Sequence, residues 1–225
     1  MIRIDLERIR EDLENFETEI NHEWYLNWAG LKEDLEISMI YGKYAHLFQT
    51  ENIITVRHLR KNAGEEEERR LRYLQEFVTD GCLGMKVREL TDKAETMQTA
   101  ETLVVDHEKI PFRLAAVKIA NESDRSRRGK IYRQRNKVIR ERINPILEER
   151  MIEMHGLARN LGYDDYLALY QDIKGIDFRV LDTLLRKFVT ETESLYREKM
   201  SQMVRGQLAV PLEEAEKHDI SFLFR

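Results

Sequence analysis

Ala158-Arg159-Asn160-Leu161-Gly162-Tyr163-Asp164-Asp165-Tyr166 is the stretch whose reading decides the fold. Gly162 can take the left-handed conformation that ends a helix, and Asp164 can accept hydrogen bonds from the first free amides of the next one. The run predicts helix, stop, helix, with Tyr163, Tyr166 and Tyr170 on one face of the second segment. Helical spacing continues on both sides and predicts helices over roughly 113–122, 125–160, 164–172 and 177–206. Pro145 lies inside the second of these, where it should kink the helix or start a new segment.

Towards the amino terminus the same periodicity persists. Ile4, Ile9, Leu13, Phe16 and Ile20 form one stripe, and Trp24, Trp28, Leu31, Leu35 and Met39 extend an apolar face past a break at Gly30. A third segment runs from about Thr50 through His58. After Gly64 the run EEEERRLRYLQEFV places acids in a first turn and bases behind them, as the helix dipole and i, i+4 pairing favour. Gly81 and Gly84 read as punctuation before another helix from about Lys86 to Thr99. TLVVD, starting at Thr102, is the one strong strand signal, and IPFRL, starting at Ile110, is its expected hairpin partner. The fold class is therefore mainly α, a multi-helix array with one small β-hairpin near residues 102–114. Residues 1–225 read as a single helical region, with a subdivision near 110–125 left open by the hairpin.

Composition agrees with long amphipathic helices. Charged residues make up 35% of the 225, hydrophobic ones 42%, and prolines number only three. The net charge of −5 gives no global reason to expect nucleic acid as a partner. Cys82 is the only cysteine, so an internal disulfide is excluded and a cytoplasmic location is the simplest expectation. The opening MIRIDLERIREDLENF alternates charged and apolar residues, which suits neither a secretory signal nor a membrane span.

Read together, several strings resemble one family. The 158–166 run with the helix behind it, the ending HDISFLFR, the segment KVRELTDKAETMQTAETLVVDHEKIPFRL and the run NESDRSRRGKIYRQRN are similar, in order and spacing, to the helical part of the oligoendopeptidase F and thimet oligopeptidase family of zinc metallopeptidases. The likeness covers roughly residues 87–225; residues 1–86 fit only as amphipathic helix. It implies a wall or lid over a deep channel that admits short unfolded peptides, with zinc and the catalytic residues supplied by another part of the enzyme.

Zinc hydrolysis of a peptide bond needs two histidines one helical turn apart, a glutamate beside the first as general base, and a further carboxylate ligand. His-Glu occurs at His22-Glu23 and His107-Glu108, but Leu26 and Pro111 stand where the second histidine would be. No catalytic residue and no metal ligand is therefore expected in this chain, which should be inactive by itself, and zinc is implied only for the complete enzyme. The resemblance implies two partners, the missing catalytic domain or a second copy of the chain, with short peptides as substrates of the complete enzyme and no membrane. The chain is either a piece of such an enzyme or a free-standing relative lacking the catalytic half.

Arg125 to Arg142 carries nine Lys or Arg residues against Glu141 alone. Such a run can clamp phosphate, meet an acidic protein or nucleic acid, or pair within the molecule with the acidic segments at 5–23 and 65–68. Only Tyr132 interrupts it with an aromatic ring, so nucleic acid is the less expected partner. Arg125, Arg127, Arg128, Lys130, Arg133 and Arg135, with Tyr163 and Tyr166, are the candidate partner or substrate contacts. The competing function is a free-standing helical binding or scaffold module that uses the basic 125–142 helix. Ile220, Phe222, Leu223 and Phe224 are costly to leave in water, so the tail is expected to dock on the helices or on a second copy.

Overall fold

The computed structural model describes residues 6–225, and the chain is mainly α with a single two-stranded hairpin among them. Ile4 of the expected opening stripe lies outside the described residues, as does residue 5 at the start of the expected acidic segment. The chain divides into two compact units. The first holds the described residues up to Met97 together with Pro145–Ile176, and the second holds Gln98–Asn144 and Asp177–Arg225. The divisions fall at the end of a long helix and around Pro145, and the 110–125 stretch lies inside the second unit.

In the first unit α1 (Leu6–Trp28) is followed by α2 (Ile37–Lys43), α3 (Thr50–Lys61) and α4 (Glu65–Ala100). The chain turns after α1 at Gly30, whose φ of 73° is open to glycine, and the buried Asn27 amide donates to the carbonyl of Glu33 to hold that turn. The apolar face expected to run on through Met39 ends there. Leu35 is buried, but Leu31 and Met39 are exposed where the irregular turn breaks the helical phase, and Trp28 is already exposed at the end of α1. The first backbone amides of α2 find a carboxylate on another helix, with Ile37 and Ser38 donating to Asp92.

α4 runs unbroken for 36 residues through Gly81 and Gly84, which corrects the expectation of a break at those glycines. A Cβ at Gly81 would lie 2.0 Å from the Phe48 ring, and one at Gly84 would lie 2.0 Å from the Tyr41 hydroxyl. The two glycines are spaces for aromatic rings. Those rings meet at Phe16, whose centroid is 4.7 Å from Phe48, 5.1 Å from Tyr41 and 5.7 Å from Tyr44.

α7 (Asn144–Asn160) and α8 (Tyr166–Lys174) complete this unit, adding Leu157, Ala158, Leu161, Leu169 and Ile173 to its core. Gly162 stops α7 at φ 86° as the sequence predicts. The cap of α8 is Asp165 and not Asp164: its carboxylate accepts from the Ala168 amide. Tyr163 consequently precedes the helix and does not share a helical face with Tyr166 and Tyr170.

The second unit begins with the hairpin, β1 (Thr102–Val105) paired antiparallel with β2 (Glu108–Pro111), Leu103 opposite Ile110. Asp106 and His107 form its two-residue turn, both with positive φ. Only Ile110 and Pro111 of the expected partner IPFRL are in the strand, because Phe112–Leu114 coils into a 3₁₀ turn leading to α5 (Ala115–Asn121). α6 (Arg125–Val138) is capped by Asp124, which accepts from the Ser126 and Arg127 amides. A π-helical turn over Ile139–Ile143 separates α6 from α7, so the expected irregularity at Pro145 is taken up just ahead of the proline. α9 (Phe178–Leu208), capped by Asp177, and α10 (Lys217–Leu223) end the chain. The tail docks in part: α10 packs on α5, α6 and α9, with Leu223 beside Met200 and Val204, but Ile220 and Phe224 stay exposed.

Candidate functional site

The basic stretch meets its carboxylates in the second unit, and the convergence is at Asp219. Arg128 and Asp219 are both wholly buried, and the Arg128 guanidinium donates to the Asp219 carboxylate at 2.7 Å and to the Glu122 carbonyl at 2.9 Å. Arg125 reaches both Asp219 oxygens, at 3.2 and 3.0 Å, and donates to the Glu214 carbonyl. The Glu216 amide supplies a further donor to Asp219 as part of a reciprocal cap on α10. Phe222 covers the group, with the Arg128 guanidinium 4.2 Å from its ring centre.

Electrostatics follow from that geometry. Burial pushes the Asp219 carboxyl up, but the hydrogen bonds from Arg125, the Glu216 amide and Arg128 reverse this and hold it at about 2. His218, beside it and almost fully buried, is pushed down by burial, so its ring is held neutral. Gly129 leaves room for that ring, since a Cβ there would lie 3.3 Å from His218 Cε1. This arrangement offers no free nucleophile. It locks the final helix onto the start of α6.

Other basic residues are engaged nearer the surface. Arg127 pairs with Glu108 and Glu122, and Lys130 with Asp106 at 2.8 Å. Arg135 stacks on Phe112 with 5.2 Å between its guanidinium and the ring centre, while Arg133 is exposed. Past the candidate group, Arg142 pairs with Glu101. Within its own unit the basic stretch therefore pairs with carboxylates of the hairpin, with Glu122 and with the C-terminal helix. The sequence alone assigns no role to Asp219 and His218. Asp-aromatic spacing marks a short capped helix, but nothing in a single sequence says which arginine that aspartate will meet.

Tyr163 and Tyr166 belong to the first unit. The Tyr163 hydroxyl donates to Asp172 while Arg57 lies over its ring, and Tyr166 stacks against Tyr170, whose hydroxyl donates to Asp80 at 2.7 Å. An open cavity of about 520 Å³ in the same unit is lined by Phe48, Cys82, Lys86, Glu149, Glu153 and Leu157. Burial pushes the Cys82 thiol up to about 11, and Lys86 pairs with Glu153, so neither is a ready nucleophile.

The two His-Glu pairs do not fit a zinc site. His22 lies on the exposed face of α1, with Leu26 one turn on, and His107 sits in the hairpin turn at φ 69°. No group of three or more His, Cys, Asp or Glu side chains able to hold a metal exists among the described residues. No helix among them is long and apolar enough to cross a membrane. Comparison with known proteins finds no matching family model, curated protein or solved structure.

Proposed function

We propose that this chain is the helical, non-catalytic wall of an oligopeptidase-like zinc metallopeptidase, which hydrolyses short peptides when a catalytic part completes it. The observation that carries this reading is the junction at Asp219. Three of the four strings that resemble the family are separate in the sequence, the hairpin segment, the arginine-rich run and the aspartate-aromatic ending, while the 158–166 run lies in the first unit. In the second unit those three hold one another, Arg125 and Arg128 through Asp219, Arg127 through Glu108 and Lys130 through Asp106. The internal use of Arg125, Arg127, Arg128 and Lys130 leaves less free charge for an acidic protein or nucleic acid, which weighs against the binding-module alternative.

The test is the coding sequence that follows the codon for Arg225. A reading frame that continues into a His-Glu-x-x-His helix, with a longer product that cleaves short peptides and loses that activity to a chelator, is the expected result. A stop codon at that point, with no cleavage by the 225-residue chain, would overturn the peptidase reading in favour of a helical module.

A further inference from the structure

α9 carries a long apolar stripe that stays exposed to solvent. Leu181, Leu184, Leu185, Phe188, Val189, Leu195 and Tyr196 are between 39% and 63% exposed, and every residue from Arg179 to Glu191 is open to solvent. Leu181, Leu184, Phe188, Thr192 and Leu195 follow one another at intervals of three and four, so they form one stripe, with Leu185, Val189 and Tyr196 widening it on one side. Met200 and Val204, which pack on the α10 side, continue the Val189 and Tyr196 edge of this face, and Leu212 of the 3₁₀ turn Leu212–Glu214 flanks Phe188 and Tyr196. Those contacts hold one edge and the C-terminal part of α9, and the stripe from Leu181 to Tyr196 stays largely exposed. Its helix is kept by the Asp177 cap and by i, i+4 pairs, Asp182 with Arg186, Lys187 with Glu191 and Glu193 with Arg197.

We propose that this face binds the same face of a second copy, the two α9 helices lying antiparallel. Charge sets the direction. Residues 179–187 carry Arg179, Arg186 and Lys187 against Asp182, a net +2, and residues 191–198 carry Glu191, Glu193 and Glu198 against Arg197, a net −2. An antiparallel pair lays each positive half beside the partner's negative half, whereas a parallel pair lays like on like. The seven exposed apolar side chains would form the centre of an interface, for which a standard stable complex needs about 800 Å² per partner. This proposal does not rest on the peptidase reading.

Sedimentation of the 225-residue chain over a micromolar concentration series should show a reversible dimer. The double variant Leu184→Glu, Phe188→Glu should be monomeric at the highest concentration with an unchanged helical circular dichroism spectrum, since both side chains are exposed in the single copy. Arg186→Glu with Lys187→Glu makes the first half negative and should weaken the dimer by about tenfold or more, and adding Glu191→Lys with Glu193→Lys should restore it. A parallel dimer would be indifferent to both changes. The proposal is overturned by a monomeric chain throughout, which leaves the stripe to a different polypeptide, or by a dimer that ignores the Leu184, Phe188 or charge-reversing substitutions.

Discussion

The two units bury different chemistry at their centres. In the first, Phe16, Tyr41, Tyr44 and Phe48 interlock, and α4 supplies glycines where the rings need space. The second also has an apolar core, including Leu103, Val105, Ile119 and Ile131, but beside it a full ion pair, Arg128 with Asp219, is withdrawn from water. An aromatic cluster is stabilised by area and shape, and its strength does not depend on protonation. A buried ion pair is stabilising only while both charges are present, and here Arg128 Nε has no hydrogen-bond partner in the protein, so removing one charge costs more than the pair itself contributes.

The largest single effect should come from emptying the aromatic cluster. Phe48→Ala removes a wholly buried ring and should destabilise the protein by about 3–5 kcal/mol, read from the shift in a denaturant midpoint. Hydrogen exchange should show the lost protection first in the helices that surround Phe48. The same variant sharpens the account of Gly81. Gly81→Ala alone drives a Cβ into the ring, but in the Phe48→Ala background that clash is gone, so the double variant should be more stable than the sum of the two singles. Simple additivity would mean that Gly81 is not there to make room for Phe48.

Asp219→Asn should cost less, about 3 kcal/mol, and in the second unit, because it leaves two guanidinium groups facing a neutral side chain. Acid makes the same change reversibly. The Asp219 carboxyl is held at about 2 against an ordinary 3.8, so its contribution is complete above 3.8 and is lost as pH falls towards 2. His218 acts in the same direction at higher pH. Its folded value is below 6.5, so protonation of the unfolded chain begins to favour unfolding as pH drops under 6.5. In the first unit burial raises Asp80 and Asp92, which take up protons more readily when folded and so gain stability on acidification, with Glu19, lowered by Lys43, running the other way. Exchange measured between pH 7 and 3 should show the amides of α6 and α10 losing protection before those around Phe16. Asp219→Asn should abolish the part of that difference which appears below pH 4. Equal loss in both regions would break the contrast.

The contrast was only half legible in the sequence. Periodicity and stop signals gave the helices, the Gly162 stop and the strand at Thr102, because these depend on residues within a few positions of one another. Gly81 and Gly84 misled for the opposite reason: a glycine that ends a helix and one that admits a ring from another helix look the same until Phe48 and Tyr41 are in place. The nine basic residues of 125–142 were visible as a run, but their separate fates were not. Arg128 and Lys130 are two positions apart and carry the same charge, yet one is wholly buried and the other is exposed. The partner 91 residues away, Asp219, makes that difference. For α9 the amphipathic pattern is plain, and what it does not tell is that the apolar face from Leu181 to Tyr196 stays largely exposed.

Lys130 gives the smallest expected effect and the cleanest comparison with Arg128. Both donate to an aspartate, at 2.8 and 2.7 Å, so hydrogen-bond length alone would rank them together. Exposure separates them. The Lys130 ammonium and the Asp106 carboxylate are each about half open to solvent, 48% and 40%, where water already satisfies both and salt screens their attraction. Lys130 lowers the Asp106 carboxyl, yet that shift sits on a group in free contact with water and carries little into folding. Lys130→Ala should therefore leave the denaturant midpoint unchanged within error and change its salt dependence only slightly, while Arg128→Ala in the same helix should lower the midpoint clearly and strip protection from α10. A Lys130→Ala loss comparable with that of Arg128→Ala would show that the hairpin, and not the buried pair, is what secures the start of α6.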